Sequence, residues 1–195
     1  MPSLKDEIER CILCADRFAG TDTGHAPRPV VWFDKRARIL VAGQAPGLKV
    51  HRSGQPFTDP SGDRLRAWMG VTPEVFYDRT KIAIVPMAFC FPGYSAKGSD
   101  LPPPAICAQT WHDRVMADLG RIRLKLVIGG YAMKYHLGRK MPVSEAVADW
   151  KTRDDDIFVL PHPSWRNTGW LKKNPWFAET VVPRLQTRIQ EILND

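Results

Sequence analysis

Ala37-Arg38-Ile39-Leu40-Val41-Ala42 runs straight into Gly43-Gln44-Ala45-Pro46-Gly47. An unbroken apolar run closed by a Gly/Pro turn reads as a short strand buried on both faces, as in parallel sheets. Lys81–Val85, Leu124–Ile128 and Ile157–Leu160 repeat the pattern. Helical periodicity fills the spaces between them, at Asp63–Met69, Pro103–Leu119, Tyr131–Leu137 and Val143–Trp150. This alternation predicts an α/β fold: a single three-layer α/β/α domain over residues 1–195, with a central, mainly parallel four-stranded sheet. Leu4 to Arg17 predicts an amphipathic helix, acidic early and basic late, with Cys11 and Cys14 on one face of its last turns. Pro175 to Leu193 predicts a final helix that Pro183 kinks or divides.

Sheets of this kind bind ligands beyond the carboxyl ends of their strands. Each predicted strand leads into an unusual segment: Gly43–Gly47, Pro86–Cys90, Gly129–Gly130 and His162–Ser164. The chain carries 28 Lys and Arg against 21 Asp and Glu, a net charge of +7 that favours a polyanionic partner. Basic residues cluster at 49–52, 121–125 and 166–173. No run of about 18 apolar residues offers a membrane span. The opening Met1-Pro2-Ser3-Leu4-Lys5-Asp6-Glu7 has neither a basic nor an apolar leader segment. The expectation is a cytoplasmic monomer without a membrane partner.

Cys11, Cys14, Cys90 and Cys107 form a C-x₂-C pair and a C-x₁₆-C pair. In a reducing compartment they read as ligands before disulfides. Four thiolates suit either a zinc ion or an iron–sulfur cluster, and the 75 residues between Cys14 and Cys90 are not a common zinc-ribbon spacing.

Beyond Gly43–Gly47 the chain reads R-x-G-x-P-F-x-D-x-S-G over residues 52–62, and His162-Pro163-Ser164 precedes Trp165-Arg166-Asn167. With the cysteine pairs, these blocks resemble the uracil-DNA glycosylase superfamily, closest to its iron–sulfur branches. The likeness spans about Cys11 to Pro175 and lapses between Gly93 and Pro102. It implies a monofunctional DNA repair glycosylase that flips uracil out of DNA and hydrolyses its N-glycosidic bond, leaving an abasic site. It implies a structural 4Fe–4S cluster on Cys11, Cys14, Cys90 and Cys107.

In that resemblance the backbone at Gly43, Gln44 and Ala45 meets a base carbonyl, and Phe57 stacks on the pyrimidine. Asp59 orients water and steadies a cationic sugar, as carboxylates do in glycosidases; the alternative for Asp59 is an N-cap, a role that does not exclude the first. His162 donates to the departing base, where negative charge grows. Ser164, Trp165, Arg166 and Asn167 meet DNA, with Trp165 or Leu171 filling the gap left by the flipped base.

Two positions depart from the pattern. Ala45 stands where one branch has an acid. Pro86 stands where relatives often carry a base-reading asparagine, which shifts recognition to the backbone at Met87 and Ala88 or to another base. His51 lies in a basic stretch without the insertion that accompanies a covalent histidine trap. The competing readings are a non-catalytic iron–sulfur or zinc nucleic-acid-binding protein and a glycosylase for another deaminated base.

Overall fold

Four strands, β1 (Ile39–Ala42), β2 (Ile82–Ile84), β3 (Leu124–Ile128) and β4 (Ile157–Leu160), lie parallel in the order β2-β1-β3-β4. The computed structural model describes residues 2–138, 141–152 and 156–195, with the backbone alone at 151 and 152. In register, Ile39 faces Ile82 and Leu124, and Val127 faces Val159. β1 is buried at every position, as its unbroken apolar run requires.

Among the described residues ten α-helices surround the sheet: α1 (Leu4–Glu9), α2 (Ala15–Ala19), α3 (Leu48–Ser53), α4 (Pro60–Met69), α5 (Pro73–Tyr77), α6 (Ala105–Asp118), α7 (Gly129–Leu137), α8 (Val143–Ala148), α9 (Thr168–Lys173) and α10 (Val182–Asn194). Because strand side chains alternate, the sheet supports two cores. Ile39, Val41, Ile82 and Leu126 pack with Leu65 and Met69 of α4 and with Leu185 and Ile189 of α10. Leu40, Ala83 and Val85 pack on the other side with Ile8 of α1 and Trp111 and Val115 of α6. The result is the expected three-layer α/β/α domain.

The N-terminal segment differs from the sequence-based expectation. It is not one helix: α1 stops at Glu9, and Cys11 and Cys14 occupy the turn before α2. The break lets Ile8 enter the α6 core while Phe18 stacks on His25, with ring centroids 5.0 Å apart. Pro183 divides the last pattern as expected, sitting in the first turn of α10 behind a π-helical turn at Phe177–Val181. Among the described residues no helix is long and apolar enough to cross a membrane. The short helices α3, α5 and α9 carry too few turns to show a period, and sequence reading passes over them.

Candidate active site

Parallel strands place their carboxyl ends on one edge, so the segments leaving β1, β2 and β4 meet there. They enclose a cavity of about 140 Å³ lined by Gly43, Gln44, Ala45, Phe57, Asp59, Pro86, Asp100, Ile128 and His162, among others. Three segments far apart in sequence, those near 47, 59 and 162, therefore share one hollow. Its floor is apolar, with Ile84 and Ile128, and Pro86 beside them.

Asp59 is at once a cavity residue and the N-cap of α4. Its carboxylate accepts from the Ser61 hydroxyl and from the Gly62 N–H at 3.3 Å. The cap fixes the carboxylate, and both sequence readings of Asp59 describe the same geometry. Phe57 is held by strain. Its φ of 54° is the one positive value outside glycine among the described residues, a conformation that persists only where surroundings over-determine it. Here the Phe57 carbonyl accepts from Tyr77 Oη at 3.0 Å and from Arg66 at 3.3 Å, while the ring meets Phe76 edge-on at 5.9 Å. Gly62 makes room for that carbonyl, since a Cβ there would lie 1.9 Å from it.

His162 leaves β4 at the mouth of the cavity. The Ser164 N–H donates to its Nδ1 at 3.2 Å, which puts the proton of the neutral ring on Nε2. Enclosure lowers the imidazole pKa from its ordinary value, with Asp59 and Asp100 opposing that shift and Arg166 adding to it. At neutral pH the ring is therefore an uncharged N–H donor. Arg64 of α4 clamps the following loop, donating to the Ser164 carbonyl at 3.0 Å and to Thr168 Oγ1 at 3.3 Å. One helix thus carries Asp59 at its start and, a turn later, the residue that fixes the His162 loop. Sequence reading missed Arg64 because its partners lie a hundred residues on.

Other expected site residues fall elsewhere. Met87 and Ala88 do not line the cavity, and their amides are already spent, donating to the Gly43 and Gln44 carbonyls at 2.9 and 3.2 Å. Those two bonds lock the β1 and β2 exits together. Asn167 donates its side-chain amide to the His162 carbonyl at 2.7 Å, bracing the histidine. Trp165 stands 77% exposed with Arg166 against its ring, whereas Leu171 packs on the core. Of the basic clusters, 49–52 and 166–173 flank the cavity, and 121–125 lies at the opposite end of the sheet, leading into β3. Asp100, unremarked in the sequence, joins the cavity wall.

The four cysteines, all free, line a second pocket between the α1–α2 turn, the β2 exit and α6, walled by Ile8, Phe18, Phe89 and Trp111. Burial, with neighbouring thiols adding to it, pushes Cys90 up to about 12 and Cys107 up to about 11, and raises Cys14. The Phe89 N–H points at Cys107 Sγ, 3.4 Å away. Four sulfur donors in an apolar hollow, with an amide aimed at one of them, fit the chemistry of a thiolate-ligated centre. Among the described residues no group of three His, Cys, Asp or Glu side chains is gathered as a single-ion site.

A helix-capping carboxylate, a neutral histidine donor and an aromatic ring share one small hollow, groups of the kind that glycosidic-bond hydrolysis uses. The family model described as "Uracil DNA glycosylase superfamily" matches residues 30–186, most of the chain, and the chain belongs to that superfamily. It is a hydrolase of the uracil-DNA glycosylase type, a DNA repair activity.

Proposed function

We propose that the substrate is uracil in DNA and that the protein releases it as a monofunctional glycosylase of the iron–sulfur kind, acting in the cytoplasm as a monomer. The observation that carries this reading is the single cavity shared by Gly43–Ala45, Phe57, Asp59 and His162. DNA binds along the basic rim formed by 49–52 and 166–173, and Trp165 occupies the space of the flipped nucleotide. The extruded base lies against Phe57, with its carbonyl toward the Gln44–Ala45 backbone. As the C1′–N1 bond opens, its electron pair leaves on the base. His162 Nε2–H donates to the base oxygen where that charge collects. Asp59 holds a water against C1′ and accepts its proton as the C1′–O bond forms. No lysine takes part, and the product is an abasic site.

Cys11, Cys14, Cys90 and Cys107 hold a structural 4Fe–4S cluster in this reading, supported by their common pocket and apolar walls. Bound there, the cluster supplies a cross-link between the N-terminal turn, the β2 exit and α6.

Incubation with an oligonucleotide containing one uracil, followed by alkali, tests the reading: a break at the uracil is expected, and an intact strand refutes it. A second substrate is favoured by one observation. Pro86 presents no side-chain amide to the cavity, and buried polar complementarity is what rejects near-analogues. Hypoxanthine and xanthine therefore belong in the same panel, and faster release of either reassigns the base.

A further inference from the structure

The cavity holds a second carboxylate whose chemistry nothing above uses. Asp100 ends a small hairpin that begins where the likeness to the superfamily lapses. Gly93 and Gly98 take the left-handed turns, with φ of 95° and 71°. The Gly98 N–H donates to Ser95 and the Ser95 N–H to Ser99, both at 2.8 Å. Tyr94 and Asp100 pair as an antiparallel bridge, and Tyr94 packs edge-on against buried Phe91 at 5.1 Å. The next residue, Leu101, donates its N–H to the Gly93 carbonyl at 2.9 Å, and its own carbonyl lies 3.5 Å from Gln44 Nε2. Asp100 is thus delivered to the cavity from a tethered frame.

Its surroundings decide what it can touch. Asp100 is exposed on one side and lines the cavity on the other, which puts it at the mouth beside His162 and Arg166. The floor, where a base ring would lie, is Ile84, Ile128 and Pro86. Unlike Asp59, the Asp100 carboxylate caps no helix and forms no hydrogen bond or close ion pair among the described residues. Partial burial raises its pKa from the ordinary value, while Arg166 and His162 favour the ionised form.

We infer that Asp100 is a second catalytic carboxylate that touches the deoxyribose at the mouth and offsets its positive charge while the glycosidic bond is open. The inference rests on the glycosylase reading and deepens it. Asp59 and Asp100 divide the work. Asp59 takes the water proton. Asp100 takes none, and its charge is felt by C1′ and O4′ after the base has left and before the water bonds. A negative group at that spot opposes phosphate, so it contributes to the rate and weakens binding.

The test uses the full chain and a uracil oligonucleotide under single-turnover conditions, with affinity measured on the uncleavable 2′-fluoro analogue. Asp100→Asn is expected to slow release by about 10- to 100-fold while binding the analogue as tightly as wild type or tighter. Asp100→Glu is expected to regain part of the rate. Asp100→Asn release within twofold of wild type overturns the inference alone. So does a joint loss of rate, affinity and thermal stability, which marks a role in holding the hairpin. A wild-type protein that leaves uracil DNA intact removes the parent reading first and this one with it.

Discussion

The cavity and the thiol pocket lie on either side of the short β2 exit, Pro86 lining one and Cys90 the other. In the cavity the fold satisfies its key polar atoms: Asp59 is capped, and His162 Nδ1 takes the Ser164 N–H. Without a hydrogen-bond partner among the described residues are the Nε2–H of His162 and the carboxylate of Asp100, both on the cavity wall. In the thiol pocket the fold does the reverse. It brings four sulfurs into one apolar hollow, where burial pushes the thiols of Cys14, Cys90 and Cys107 up. One region leaves polar atoms open to solvent, and the other keeps protonated thiols among apolar side chains; under the proposed function a cluster would replace those thiol protons.

The sharpest separation between the two comes from removing charge and donor in the cavity. Asp59→Asn and His162→Ala are each expected to slow uracil release by about 10²- to 10⁴-fold, with melting temperatures close to wild type for His162→Ala. Single-turnover assays beside thermal melts check both. Rates within a few-fold of wild type would erase the assigned roles.

Cys90→Ser probes the other pocket and should show the opposite balance. Iron content and visible absorbance are expected to disappear and the melting temperature to fall, while the rate per folded molecule stays within about tenfold. Because burial holds Cys90 and Cys107 protonated near neutral pH, metal loading should release protons and become less complete as pH falls from about 8.5 to about 6.5. A variant that keeps its iron, or loading indifferent to pH, breaks the contrast.

How much of this was legible beforehand depends on whether a signal is local. β3 and β4 match their apolar runs to the residue, and β1 and β2 lose only end residues, because burial on both faces leaves no alternation to misread. The resemblance singles out Asp59, Phe57 and His162, and the local signals beside them, a capping motif and a strand exit, put all three on the cavity wall. The break at Arg10–Cys14 was not legible: Ile12 and Leu13 fit a helical period, yet they end up exposed at 74% and 58%. Where Ile8 and Phe18 bury, the first in the α6 core and the second against His25, is a tertiary decision. Met87 and Ala88 failed for a related reason, since their amides are claimed by the neighbouring β1 exit. Arg64 and Asp100 act through partners 60 to 100 residues away, a distance no window spans.

Gly62→Ala tests the floor of the comparison, the strain under Phe57. The added methyl would meet the Phe57 carbonyl at 1.9 Å, so the N-terminus of α4 must shift. A loss of about 1–3 kcal/mol in stability is expected, with slower release, because Asp59 caps the same turn. Urea denaturation measures the first, and a mutant as stable and active as wild type would mean that Phe57 is not held as described.

Arg64→Ala carries the smallest expected effect and the finest distinction. Its guanidinium makes two hydrogen bonds, one to the Ser164 carbonyl and one to Thr168 Oγ1. Both acceptors sit at a partly exposed rim, so water replaces the lost donor and the cost should stay near 1 kcal/mol. The thiol pocket, on the other side of the β2 exit, should keep its metal content unchanged. Uracil release should slow modestly, because Ser164 supplies the N–H that sets the His162 tautomer, and a loosened loop holds that N–H less firmly. Arg64→Lys retains one donor and should recover part of the loss. If the variants slow release without changing its pH profile, Arg64 positions the loop. A profile that moves instead would make its charge part of the electrostatics at His162, and the division between a prepared cavity and a waiting pocket would have to include α4 as a source of field as well as of frame.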